Sequence, residues 1–323
     1  MKDKPKTIIA SLVDKKQNLQ DQETSLKEAE LLVDTYGGQV EKIITQNASH
    51  QSGSTYIGSG KVQELKRLIE KKDIDILVIN AHLKASQLFA LAEAINDENT
   101  ECKIWDRTQL ILQIFKKHAT TSEAKLQIKL AELNHRGPEL SGMGIYMSQQ
   151  AGGIGTRGVG ETYTETIRRH WQKEIKTVEN KLKKITLNRH QQMKSRKQSG
   201  IPTVSIIGYT NAGKTSLFNT ISKKADKVQD ALFATLDSSV STIFLTNIGK
   251  KIFVSDTIGF IHDLPTQLID AFKSTLLETV NADILLHVID ASDENMFLKV
   301  KTVNQVLTDL NLEKVQQMGY RTN

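Results

Sequence analysis

"VSIIGYTNAGKTSLFNTI", Val204 to Ile221, opens as an apolar run of strand type, passes through two glycines flanking a loop, and continues as a helical pattern behind a single lysine. Gly208, Gly213, Lys214 and Thr215 satisfy G-x-x-x-x-G-K-[ST], with the preceding strand and following helix that this motif requires. Amides of such a loop, backed by the positive end of the helix dipole, face an anion. Gly208, Tyr209, Thr210, Asn211, Ala212, Gly213, Lys214 and Thr215 are therefore expected to hold phosphates. Lys214 would neutralise the β- and γ-groups, and the Thr215 hydroxyl would ligate Mg²⁺.

The next segments extend this chemistry. "KIFVSDTIGF" sets Asp256 at the end of an apolar strand with Gly259 three residues on. In this D-x-x-G arrangement the carboxylate reaches Mg²⁺ and the glycine amide meets the γ-phosphate. Between the two motifs lies "DALFATLDSSVS", where Thr235 could complete the metal shell only while a triphosphate is bound, the behaviour of a switch. "ADILLHVIDASD" adds a further buried strand. Phosphate loop, switch threonine, D-x-x-G and next strand follow the order of a translation-factor-type GTPase.

Upstream, "TIIASLV", "GGQVEKIITQ", "IDILVIN" and "CKIWD" read as strands alternating with the helical patterns "SLKEAELLVDTY", "KVQELKRLIEKK", "KASQLFALAEAI" and "RTQLILQIFKKH". Such alternation predicts a mainly parallel sheet covered by helices. Leu126, Leu130 and Leu133, then Trp171, Ile175, Val178, Leu182 and Ile185, recur at helical spacing. They suit either an antiparallel helical arm or two helices packed back on the first domain. The intervening stretch holds eight glycines from Gly137 to Gly160, with Arg136 and Arg157 beside them. It is either a linker or a loop whose bare amides approach a phosphate backbone.

Charge is concentrated in one place. Between Glu165 and Gly200 eleven Lys/Arg face three Glu, a balance of +8 in a chain of net +6, so the remainder is near −2. The lone cysteine, Cys102, excludes an intramolecular disulfide and reads as a buried thiol. No apolar run approaches the roughly 18 residues of a membrane span, and the start lacks a cleavable leader pattern, so a cytoplasmic protein is expected. "YIGSGKVQEL" offers Gly58, Gly60 and Lys61 at a helix start, either an anion site or a tight turn.

Taken together, "GYTNAGKTSLFN", "LFATLD", "DTIGFIHDLP", "ADILLHVIDASD", "GGIGTRGVGET", "YIGSGKVQEL" and "WDRTQLILQIF" resemble the HflX family of ribosome-associated GTPases, from about residue 10 to about 314. The resemblance implies an α/β fold in three parts: an N-terminal domain over 1–120, a helical arm over 121–200 and a P-loop GTPase domain over 201–323. It implies a first switch over Phe233, Ala234, Thr235, Leu236 and Asp237, with Thr235 on Mg²⁺, and a second over Asp256, Thr257, Ile258 and Gly259. Lys214, Thr235 and Gly259 would serve catalysis, on GTP or GDP as ligand. The partner implied is the large ribosomal subunit, its RNA met by the basic arm 165–200 and the glycine loop, with hydrolysis coupled to recycling, splitting or rescue by a monomer. Asn211 resembles the asparagine with which some relatives hold K⁺.

The chain departs from the pattern at several points. Phe260 follows D-x-x-G where many GTPases carry a water-orienting glutamine, so slow intrinsic hydrolysis is expected. Ile167 and Ser241 stand where an aspartate and an arginine are common. No N-K-x-D follows the D-x-x-G, and from about Gln316 the wording leaves the family pattern. That leaves guanine selectivity unsupported and predicts an incomplete, aggregation-prone domain with "DILLHVID" as an open edge. A ribosome- or RNA-binding module with an inactive nucleotide domain is the rival expectation.

Overall fold

The computed structural model describes residues 4–14, 18–48, 50–98, 100–135, 157–223, 232–233, 239–263, 265, 268, 279–309 and 316–322; for 157–164, 190 and 316–322 it describes the backbone alone. They form two compact units, 1–114 with 129–178, and 115–128 with 179–323.

In the first unit, strands β1 (Lys6–Val13), β2 (Gln39–Asn47), β3 (Ile76–Ile79) and β4 (Lys103–Asp106) form a sheet of order β2-β1-β3-β4. All its pairings are parallel. Helices α1 (Leu19–Tyr36), α2 (Ser59–Lys72) and α3 (Ala85–Ile95) make the crossovers, and α4 (Arg107–His118) follows β4. The short apolar strands are the reason for this order: Ile76–Ile79 is buried at every residue, as a parallel strand covered on both faces must be. Ile8, Ala10, Leu77 and Ile79 pack with Val62, Leu65 and Ile69 of α2 and Leu91 and Ile95 of α3. Cys102 lies in the same cluster, and burial pushes its thiol up to about 12, which makes it an inert core residue.

Buried charged groups at the carboxyl end of this sheet meet opposite charges or hydrogen-bond donors within the protein. Asp106 accepts from the Gln109 amide at 2.7 Å, the Leu83 amide at 3.2 Å and His135 Nε2 at 3.1 Å. Arg107 pairs with Glu28 and donates to Asn80 Oδ1 at 2.8 Å. The turn at Gly58 is closed by protein: its amide donates to Gln46 Oε1 at 2.9 Å, and Lys61 is paired with Glu64. Of the two readings open for "YIGSGK", this favours the tight turn.

Helix α5 (residues 122–135) and helix α6 (Arg157–Gln198) pair antiparallel. In the first unit Trp171 Nε1 donates to the Leu133 carbonyl at 3.0 Å and Lys129 meets Glu174 at 2.6 Å; in the second, Arg189 meets Glu123 at 3.2 Å. The stripe expected on α6 is the buried one, with Val178 and Leu182 deepest. On α5 the stripe is broader than expected. Leu133 is buried but Leu126 and Leu130 only partly so, while Ala124, Gln127, Ile128 and Ala131 are the most enclosed. Of the glycine-rich stretch, 136–156 lies outside the described residues, and 157–160 already belongs to α6.

The second unit's sheet has the order β6-β7-β5-β8-β9. Its strands are β5 (Thr203–Gly208), β6 (Ser239–Leu245), β7 (Lys250–Asp256), β8 (Ile284–Asp290) and β9 (Gln316–Thr322). Only β6 runs antiparallel, against β7. Helix α7 (Lys214–Ser222) packs through Phe218 and Leu217 onto Ile206, Val254 and Val288; α8 (Met296–Asp309) follows β8. One expectation is corrected here. Strand β8 is not an open edge: β9 pairs with it in parallel from Ile284↔Gln316 to Asp290↔Thr322, because a strand needs only backbone amides and carbonyls to extend a ladder.

His287 on β8 is buried, and burial, aided by the Lys214 ammonium, pushes its imidazole down to about 4. The unfolded chain, with an ordinary imidazole near 6.5, binds the proton that the folded one refuses. Stability should therefore fall as pH drops from about 6.5 to about 4, by up to about 3 kcal/mol. Urea melts over that range should show the slope, and His287→Leu should flatten it.

Candidate functional site

The loop between β5 and α7 is shaped by three backbone constraints. Gly208 ends β5 at φ 153°, where a Cβ would stand 2.4 Å from the Val288 carbonyl oxygen of the neighbouring strand. No side chain fits there. Asn211 takes a left-handed φ of 62°, which asparagine tolerates better than most residues, and Gly213 takes 84° as the N-cap of α7. Gly213 has no side chain to cap the first-turn amides of α7. Amides in this arrangement form a concave cradle for an anion.

Lys214 is buried and its Nζ donates to the Tyr209 carbonyl at 2.6 Å. Burial pulls its pKa down to about 8, opposed by the charge of Asp256. Taking an ammonium out of water is costly, and a phosphate would restore the lost stabilisation of its charge. Thr215 Oγ1 donates to Asp256 Oδ2 at 2.9 Å. A hydroxyl and a carboxylate side by side are the hard oxygen donors that Mg²⁺ prefers, with water and phosphate filling its remaining positions, so this pair fits the ion.

The second motif lies directly against the first. Thr257 Oγ1 donates to the Ile206 carbonyl at 2.7 Å, fixing the chain as it leaves β7. A Cβ on Gly259 would lie 2.8 Å from both Lys214 Nζ and the Thr210 Cα, so glycine is required for this approach. Ile258 is buried next to it, and Phe260 is 1% exposed. The Phe260 amide donates to the Gly208 carbonyl at 3.1 Å, and its carbonyl accepts from the Thr210 amide at 2.7 Å.

Gly208 to Thr215 and Asp256 to Gly259 are thus brought together. Of the segment expected to form a first switch, Ala234, Thr235, Leu236 and Asp237 lie outside the described residues. Phe233 is described: it has a φ of 58° and its ring is buried edge-on against Phe115, with centroids 4.6 Å apart. Sequence reasoning missed a contact made by the Tyr209 hydroxyl, which accepts from the His262 amide at 2.8 Å. No local pattern announces a bond between residues 53 apart.

Among the described side chains of α6, eight of the nine exposed lysines and arginines fall between Arg168 and Lys194, with Lys197 beyond them; Arg189 and Arg196 are partly covered. Arg196 lies over the Phe253 ring at 5.9 Å, beside a groove of about 560 Å³ lined by Lys194, Lys197, Pro202 and Asp283 among others. Among the described residues no helix is long and apolar enough to cross a membrane.

The chain matches the families described as GTP-binding GTPase N-terminal over residues 23–116, GTP-binding GTPase Middle Region over 118–196, and 50S ribosome-binding GTPase over 203–318. The GTPase HflX of Caldanaerobacter subterraneus subsp. tengcongensis is 42% identical over 309 residues, which is 96% of this chain and 70% of that protein. The GTPase HflX of Alkalihalophilus pseudofirmus is also 42% identical, over 92% of this chain and 69% of its own. Among solved structures, the crystal structure of the SsGBP and GDP complex superimposes with a TM-score of 0.54 at 27% identity, covering 96% of this chain and 79% of that one. Phosphate loop, D-x-x-G segment and matched relatives agree: the chain belongs to the HflX family of GTPases.

Proposed function

We propose that this chain binds GTP at the loop Gly208–Thr215, hydrolyses it with Mg²⁺, and couples the cycle to the large ribosomal subunit in recycling, splitting or rescue. The observation that carries this reading is the joint of Lys214, Thr215, Asp256 and Gly259 at one point of the sheet's carboxyl edge. Lys214 and the α7 amides would bind and orient the β- and γ-phosphates, and the Gly259 amide would meet the terminal phosphate from the other side. Thr215 and Asp256, joined by Thr235, would hold Mg²⁺, which supplies charge neutralisation on the phosphate oxygens. GDP remains in the same cradle after hydrolysis.

Phe260 has no group that orients water, and its ring is enclosed by protein. Unaided hydrolysis is therefore slow in this reading, and the orienting group comes from the ribosome. Exposed cations along α6, within 165–200, supply the contact with ribosomal RNA, together with the glycine-rich stretch 137–160. The protein acts in the cytoplasm as a monomer. The K⁺ reading rests on the resemblance at Asn211; exchanging K⁺ for Na⁺ without a change in turnover would remove it.

The first test is titration with a fluorescent guanine nucleotide, competed by ATP. Micromolar binding of the guanine nucleotide is expected, and no binding by folded protein overturns the proposal. Lys214→Ala should weaken binding about ten- to a hundredfold, the worth of a charge-assisted bond to phosphate. Ribosomes should raise GTP turnover; equal rates with and without them would refute the need for an outside group. Cosedimentation with large subunits should weaken steeply from about 50 to 200 mM salt, as phosphate contacts do.

A further inference from the structure

The G-x-x-x-x-G-K-[ST] pattern asks nothing of its second position, yet several contacts converge on Tyr209 there. Its carbonyl accepts from Lys214 Nζ at 2.6 Å, and its hydroxyl accepts from the His262 amide at 2.8 Å. Its ring lies beneath Lys299 of α8, 5.0 Å from Nζ to the centroid, and Lys299 is itself paired with Asp293. The side chain is 6% exposed.

The neighbouring residues close the same joint. Tyr209 and Phe260 form an isolated parallel bridge, made by the Phe260 amide on the Gly208 carbonyl at 3.1 Å and the Thr210 amide on the Phe260 carbonyl at 2.7 Å. Two ladder bonds are a short strap. The phenol adds a third point two residues further along, where the chain leaves the bridge. The strapped segment begins at Gly259, whose main chain is pressed against Thr210 and the Lys214 ammonium with no space for a Cβ. A terminal phosphate must be gripped there from both sides, by the lysine and by the glycine amide.

We infer that the Tyr209 hydroxyl is a positioning group that clasps residues 259–262 to the phosphate loop and thereby favours triphosphate over diphosphate. The inference rests on reading the loop as the GTP site. A diphosphate touches only the loop and α7, so it gains nothing from the clasp. A triphosphate needs the Gly259 amide already in place, and a loose segment would have to be ordered at the expense of binding.

Tyr209→Phe in the full chain tests this, because it keeps the ring, the carbonyl and the stacking beneath Lys299. Affinity for a non-hydrolysable GTP analogue should fall about three- to tenfold more than affinity for GDP does, the range for one hydrogen bond. Amide exchange over 259–263 should quicken, and kcat for GTP should fall more than KM rises. His262→Pro, which removes the donor instead of the acceptor, should reproduce the greater loss for the triphosphate. Unchanged analogue affinity and unchanged exchange would overturn the inference, as would equal losses for both nucleotides. Wild-type protein that binds neither nucleotide would defeat the GTPase reading, while the exchange comparison, which needs no ligand, would still decide the clasp.

Discussion

An ammonium buried with no carboxylate at bonding distance among the described residues is the constraint on which the second unit turns. Lys214 holds a main-chain carbonyl and feels Asp256, but burial still pulls its pKa down. Folding a lysine into this position weakens the protein unless an anion arrives, and that deficit is binding free energy held in reserve. The surrounding architecture keeps the ammonium there. Gly208 lets β5 run against β8 without a side chain between them, Gly213 turns the chain into α7, and Gly259 lets the next motif close over the top. At Gly208 and Gly259 a single methyl group would separate backbones that have to touch, and at Gly213 the left-handed φ favours glycine.

The first unit handles its buried charge differently. Arg107 is enclosed with Glu28 and Asn80, and Asp106 with two backbone amides and His135, so these charges are paired within the protein. Such pairs contribute little net stability compared with apolar packing, but removing one partner is costly. They lock the end of the sheet to α1, α4 and α5. The first unit pairs its buried charges with one another, and the second sets a buried ammonium on a main-chain carbonyl.

Much of this was legible in the sequence for identifiable reasons. Parallel strands buried on both faces appear as unbroken apolar runs, so "IDILVIN" and "SIIG" announce themselves. The phosphate loop is legible because its glycines and lysine are dictated by local geometry. Helix α6 shows its stripe because one face alone is covered. On α5 the deepest residues include Ala124, Gln127 and Ala131, small or polar side chains that carry no strong apolar signal. Strand β9, "QQMGYRT", was hard to read because its alternation is only two residues long, Met318 and Tyr320, beside a glycine; the ladder offered by β8 recruits it through main-chain atoms. The Tyr209–His262 contact was hidden because it depends on two distant segments meeting.

The centre of the second sheet is its earliest-made strand. Thr203–Gly208 pairs with Lys250–Asp256 on one side and with Ile284–Asp290 on the other, the Asp283 carboxylate closing on the Thr203 amide across 80 positions of chain. During synthesis, Ile206 and Ile207 therefore emerge long before either neighbour exists to cover them. Maturation of this half has to wait on translation, and a nascent-chain holdase that shields apolar segments would find its target in the same residues that later form the middle of this sheet.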